Sequence, residues 1–506
     1  YYQSNAILVM LGWTVYISFI SALGCFLCPS KRPDLSRHLA LFATVISAFV
    51  ALFCAASYTP IDGNPVVDVT KWNWIPSLGI SYYLAADGIS IVMVVLTGIA
   101  SVAAVLFSWN IEDRANEFFG FFLILIGGVY GVFISFDLFL LFVFYEIAII
   151  PKYFLIAIWG STKKSYGAMK LVLYSFVGSS MALIGIMGAF IVSGGVSFDL
   201  NQLILHPYTP EFQEWAFPVT FIGFVILAGL WPFHTWAPTG HVAAPTGASM
   251  LLAGVVMKLG AYGALRVPMT LFPMGAAMWR EELALLAGIG IVAGALVALV
   301  QNDFKFIIGY SSVSHMGFVL LGLLATTETG LNGAVLQMFS HGILAGLLFA
   351  VVGRMIYSRT HTRDINKLAT MQLGRQFPFT AAVFLLASLA SVGLPGFSGF
   401  VAELHVITGA WASYSYLALM AGTGVVIGVA YSMRALIRVF WSVDSDSNRP
   451  LQTTLPGLTI QEKAGATLLI ITSLVVGIYP RLLLDIIAPS LQSPLLKPLL
   501  DQGNTL

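Results

Sequence analysis

ISIVMVVLTGIASVAAVLFSW, residues 89–109, carries no charge and has about the length, roughly 20 residues, that a helix needs to cross the hydrocarbon core of a bilayer. Its apolar residues run continuously. A membrane-barrel strand would instead alternate apolar and polar positions over about ten residues. Comparable runs cover residues 5–28, 39–58 and 464–479. Counting such segments along the chain, including those that proline interrupts, predicts an all-α polytopic membrane protein of about fourteen transmembrane helices. Connections are mostly short, so residues 1–506 read as a single transmembrane domain. Composition agrees: 58% of residues are hydrophobic and 9% charged, where a soluble domain averages about 25% charged.

Several function classes fall away. A formal net charge of +1 gives no electrostatic basis for binding nucleic acid. Cys25, Cys28 and Cys54 are too few for a disulfide framework and read as helix packing. No metal-ligand spacing, P-loop or dinucleotide fingerprint is present, so no cofactor is expected on this chain. The first apolar run lacks a basic flank and a small-residue cleavage site, and is expected to be a permanent helix.

Basic residues fall on alternate connections: Lys31, Arg32 and Arg37; Arg114; Lys163 and Lys164; Lys305; then Arg359, Arg363, Lys367 and Arg375. The positive-inside rule makes these connections cytoplasmic and puts both termini on the other side. Two segments are interrupted where a span should be continuous: residues 230–238, LWPFHTWAP, and residues 393–399, GLPGFSG. Proline removes a donor and glycine weakens the helix, so both sites are expected to unwind and to need polar partners. Two broken helices at corresponding places point to an inverted-repeat transporter with its ion path at the breaks.

The charges inside apolar runs are the functional candidates. A charge at the centre of a transmembrane helix costs roughly 2.5 to 3.5 kcal/mol on insertion scales, so its retention calls for a reason. Glu146 lies near the middle of the run 138–158, Lys258 midway between Pro245 and Pro268, and Glu403 just beyond the second break. Lys170 lies early in the run 167–193, where its long stem could also snorkel to the surface. Among the histidines His234, His241, His315, His341 and His405, the imidazoles of His315 and His341 are the expected relays, because histidine exchanges protons near neutral pH. His234, in the first break, is a further candidate.

The strings FVFYEIAIIPK (142–152), PFHTWAPTGHVAAPTGASMLLAGVVM (232–257) followed by Lys258, DFKFIIGYSSVSHMGF (303–318), HTRD (361–364) and PGFSGFVAE (395–403) resemble one family in the family's order. It comprises the antiporter-like membrane subunits of respiratory complex I, its quinone-reducing relatives and Mrp-type cation/proton antiporters. QMFSHG (337–342) and the HTRD turn are most similar to its subunit M, or chain 4, branch. The resemblance implies two inverted five-helix repeats, about residues 118–268 and 283–441, with flanking helices in 5–109 and 462–487. It also implies a proton-translocating role in a bacterial inner membrane, as a subunit of an NAD(P)H- or ferredoxin-fed quinone oxidoreductase. L-type and N-type subunits would be its neighbours, and FMN, iron–sulfur clusters and quinone would reside in partner subunits.

By the same resemblance Glu146, Lys170 and Lys258 match the family's glutamate and lysines on its fifth, sixth and eighth helices. His315 and His341 match its central histidines, and Glu403 its terminal carboxylate. One position departs: five residues before the Pro-Phe-His motif the family usually carries lysine, and here Leu227 stands. Lys170 or a protonated His234 is then the expected cationic partner of Glu146. The competing expectations are an Mrp-type sodium/proton antiporter subunit and a membrane-arm subunit that has lost transport.

Overall fold

The computed structural model describes residues 10–60, 65–442 and 455–504; the opening residues 5–9 of the expected first run lie outside them. Twelve helices among the described residues are long and apolar enough to cross a membrane. Two shorter apolar helices, Gly12–Leu27 and Pro378–Ser391, stand beside them, and the latter resumes beyond a break as Ser398–Ser413. Lipid offers no hydrogen bonds, so the helix starts must be satisfied from within. Asp87 caps Gly88–Phe107 through the Ser90 N–H, Asp137 caps Leu138–Trp159 through Phe139 and Leu140, and Asp303 caps Phe304–Leu324 through Lys305 and Phe306.

The most apolar 18 residues of the spans Thr246–Leu271 and Glu328–Thr360 are buried throughout by the other helices. Outer helices such as Pro33–Ala56, Lys164–Val192 and Ser415–Phe440 expose Phe42, Phe49, Phe176 and Val426. Such a belt of large apolar side chains has lipid as its natural solvent. The chain is an integral membrane protein.

A single construction occurs twice. The backbones at Asp137 and Asp199 pair, with the Leu138 N–H donating to Phe198 O (2.9 Å) and the Leu200 N–H to Phe136 O (2.9 Å). Those at Asp303 and Asp364 pair in the same way, Phe304 to Arg363 O (2.7 Å) and Ile365 to Asn302 O (3.0 Å). Each of the four aspartates caps the helix that follows it. Five spans separate Asp137 from Asp303, an odd number, so the two constructions lie at opposite ends of the bundle.

At the Asp303 end the basic connections meet. Arg363 pairs with Asp303 (3.2 Å) and donates to Thr162 Oγ1 (2.9 Å), and the Trp159 indole donates to Asp113 O (2.8 Å).

The helix breaks are also built alike. After Ala228 and after Val392 the chain turns through Gly229 (φ +85°) and Gly393 (φ +82°), and the next N–H reaches back five residues, Leu230 to Val225 O (3.0 Å) and Leu394 to Leu389 O (2.9 Å). This glycine-centred closure satisfies the last carbonyls of a helix that must stop inside the membrane. The sequence reading of an all-helical chain passed over a two-stranded antiparallel hairpin, Val67–Ile75 with Ile80–Ala86, which Lys71 ties to Asp199 (2.5 Å).

Candidate functional site

The two enclosed spans cross at Gly254 and Gly342, where a Cβ on Gly342 would lie 2.6 Å from the Gly254 carbonyl oxygen. Such close backbone approach is what small residues permit between membrane helices. It sets Lys258, one turn beyond Gly254, against His341: the Lys258 Nζ lies 2.6 Å from His341 Nδ1 and donates to Ala253 O at 2.5 Å. Residues Leu252–Val256 form a π-helical turn just before Lys258. Such wider turns free carbonyls from the regular ladder and are frequent at functional sites.

From His341 the row continues. The His341 and His315 rings lie 5.5 Å apart, and His315 Nδ1 is 3.3 Å from Glu403 Oε1. Lys258, His341, His315 and Glu403, expected separately from the sequence, therefore come together as one buried line contributed by four helices. None of them faces the lipid-exposed surface.

Two partners in this line went unnamed in the sequence reading. Gln337 Nε2 lies 3.4 Å from His315 Nδ1, and Ser391 Oγ lies 3.1 Å from His315 Nε2. Gln337 precedes His341 by four residues, so helical spacing alone puts both on one face. Ser391 carries no such signal. A hydroxyl can donate or accept, and an amide turned over exchanges donor for acceptor, so both can accompany His315 through a change of protonation.

The remaining candidates form a second group. Glu146 is half-buried, and its Oε1 is buried without a hydrogen-bond partner. Lys170 Nζ stands over the rings of Tyr166 and Tyr174 (5.8 and 6.0 Å), and the Tyr174 hydroxyl meets Thr235 Oγ1 (2.9 Å) at the first break. His234 lies beside Tyr310, ring centroids 6.3 Å apart, with Nδ1 unpartnered. Among the described residues no ion pair joins Glu146 to Lys170 or His234. His241 is buried between Trp236 and Phe349 with both ring nitrogens unpartnered. His405 lies near its own-helix carbonyl Val401 O (2.7 Å), away from this line.

The second break shapes the end of the row. A Cβ at Gly393 would lie 2.9 Å from Glu403 Oε2, whereas one at Gly396 (φ +95°) would meet nothing within 4 Å. Gly393→Ala and Gly396→Ala should each lose about 1–2 kcal/mol to the left-handed backbone. Only Gly393→Ala should in addition displace the carboxylate. Heat inactivation of the two variants, compared in membranes, checks this; equal losses would mean that the Glu403 contact is of no consequence.

A family profile described as "NADH:quinone oxidoreductase/Mrp antiporter, TM" matches residues 135–428. NADH-quinone oxidoreductase subunit M of Rhodobacter capsulatus is 37% identical over 90% of this chain and 89% of its own length. A NAD(P)H-quinone oxidoreductase chain 4 of Synechococcus sp. (strain JA-3-3Ab) is 36% identical over 93% and 90%. Among solved structures, a chain of respiratory complex I from Thermus thermophilus with bound NADH superposes with a TM-score of 0.87 at 27% identity, covering 97% of this chain and 99% of that one. The matched region holds both helix breaks and every residue of the buried line. The chain is a member of the NADH:quinone oxidoreductase/Mrp antiporter transmembrane family.

Proposed function

We propose that this chain is a proton-translocating membrane-arm subunit of a complex I-type quinone oxidoreductase in a bacterial inner membrane, with both termini on the non-cytoplasmic side. Electrons would flow from NAD(P)H or ferredoxin through FMN and iron–sulfur clusters to quinone in partner subunits, and L-type and N-type antiporter-like subunits would flank this chain. The observation that carries the reading is the succession of close neighbours from Lys258 through His341 and His315 to Glu403 inside an apolar bundle. Burying four ionisable side chains is expensive and calls for a functional reason, and amine, imidazole and carboxylate can each hold and release a proton.

In this reading, charge changes at the quinone end alter the field around Glu146. That alters the proton affinity of Lys258, and the proton moves by way of the two imidazoles to Glu403. Glu403 sits at a helix break, where unwound backbone supplies polar surroundings. Driving one charge against 100 mV costs about 2.3 kcal/mol, and coupling between sites is typically about 1–3 kcal/mol, so several groups must act together. A row of four meets that requirement.

Glu403→Gln keeps the shape and the hydrogen bonding while removing the exchangeable proton. The variant complex should assemble and transfer electrons, yet show a lowered proton-to-electron ratio in inside-out vesicles. An unchanged ratio would sink the assignment.

A further inference from the structure

The span Ile460–Ile478 contributes nothing to the buried line, yet it grips the second helix break. Ile471, Val475 and Ile478 are exposed on its outer face, while Ser473 is fully buried. The Ser473 hydroxyl lies 2.9 Å from Ser398 Oγ, and Ser398 Oγ lies 2.8 Å from Ser340 Oγ. Ser398 opens the half-helix Ser398–Ser413 that carries Glu403, and Ser340 immediately precedes His341. Three helices therefore meet in one chain of three hydroxyls.

A serine in a membrane helix commonly turns its hydroxyl back to its own backbone, as Ser18, Ser108 and Ser135 do here to Thr14 O, Ala104 O and Gly131 O. Ser340, Ser398 and Ser473 bond across helices instead. Ser398 holds the middle place, because a hydroxyl both donates and accepts and so can serve two neighbours at once. Such bonds between helices are among the forces that join spans in lipid.

Packing reinforces the bridge. One turn past Ser473, Gly477 lies so close to the break that a Cβ there would overlap the Phe397 backbone and Gly396 O. On the other side Leu344, one turn past Ser340, forms a small apolar cluster with Ala390 and Phe397, which flank the break. Toward its other end the span is anchored again: Glu462 pairs with Arg354 and Arg359 (both 2.7 Å), and both arginines belong to the span that carries His341.

The break makes such a grip necessary. The Glu403 half-helix follows its predecessor through a turn that includes two left-handed glycines, Gly393 and Gly396, so its tilt is set by what it touches. Tilt matters at Glu403, whose Oε1 stands 3.3 Å from His315 Nδ1.

We infer that Ser398 is a positioning residue: bridged between Ser340 and Ser473, it holds the half-helix of Glu403 in register with the span of His341, and the span Ile460–Ile478 serves the proton route as its brace. The inference rests on the proton-translocating reading.

The test uses the full complex in inside-out vesicles and four variants: Ser398→Ala, Ser473→Ala, the two combined, and Glu403→Gln. Alanine leaves no clash, and the hydroxyls that lose a partner can turn back to their own helices, so the complexes should assemble and transfer electrons normally. A misplacement of about 1 Å can cost about a hundredfold in a transfer step. Ser398→Ala should therefore lower the proton-to-electron ratio nearly as far as Glu403→Gln does. Ser473→Ala should lower it in part, although its helix brings no group to the row. The combined variant should fall no further than Ser398→Ala alone, the non-additivity of residues that act as one unit. A merely structural role would reduce heat resistance and leave the ratio unmoved.

An unaltered ratio in both Ser398→Ala and Ser473→Ala, beside a lowered one in Glu403→Gln, refutes the brace and leaves the pump reading standing. If Glu403→Gln is also unaltered, the reading falls and the brace with it. Should Ser398→Ala fail to assemble, Ser473→Ala decides: a lowered ratio in assembled complex supports the inference, and an unaltered ratio or a second failure to assemble overturns it.

Discussion

Lys258→Met is expected to close the proton route while leaving the complex assembled. Methionine matches the unbranched shape of lysine, so the wholly enclosed site keeps its packing. What disappears is the donor 2.6 Å from His341 Nδ1, and with it the step that hands a proton to the imidazoles. A positioned acid–base group is typically worth about 10² to 10⁴ in rate, so translocation through this chain should fall by at least about a hundredfold.

Lys258→Arg separates a relay from a fixed charge. Arginine preserves the positive charge, but its guanidinium never gives up a proton in a protein. Both variants should therefore fail to translocate, as read from proton uptake driven by electron transfer. If the arginine variant pumped normally, Lys258 would be acting as a static charge and the row would have to begin at His341.

The members of that row were legible in the sequence because ionisable residues are few in the apolar runs that hold them. Their mutual contact was not, since it depends on the Gly254–Gly342 crossing and on a π-helical turn, and glycines are too numerous in this chain to single out a crossing. Ser391 was invisible for a similar reason, because a serine on an apolar helix most often bonds its own backbone. The hairpin Val67–Ala86 lacked a strong turn dipeptide and lies between two long apolar helices that dominate any reading of periodicity. What the two aspartate pairings share is a backbone construction with one aspartate at each capping position, not a string of residues that a reading of the sequence could match.

Asp87→Asn is expected to deplete the assembled protein rather than to change its proton chemistry. Asp87 and Arg266 form a fully enclosed ion pair (2.7 Å) between the helix Gly88–Phe107 and the span Thr246–Leu271 that carries Lys258. Around it, Arg266 Nε donates to the Tyr262 hydroxyl (3.2 Å), that hydroxyl donates to Phe133 O (2.8 Å), and the guanidinium stacks near the rings of Tyr262 and Phe136 (5.2 and 5.3 Å). Three helices are joined at one point.

Asparagine retains the cap on the Ser90 N–H, so the substitution isolates the loss of charge. Removing one partner of a buried pair strands the other, at a cost of about 3–5 kcal/mol. The yield of assembled complex and its resistance to heat should both drop sharply. Pairing Asp87→Asn with Arg266→Met should recover part of the loss, because the buried guanidinium is then no longer stranded without a counter-charge. If Asp87→Asn alone were as heat-resistant as the unaltered chain, the pair would not be what fixes the Lys258 span, and the alignment of Lys258 with His341 would have to rest on the glycine crossing alone.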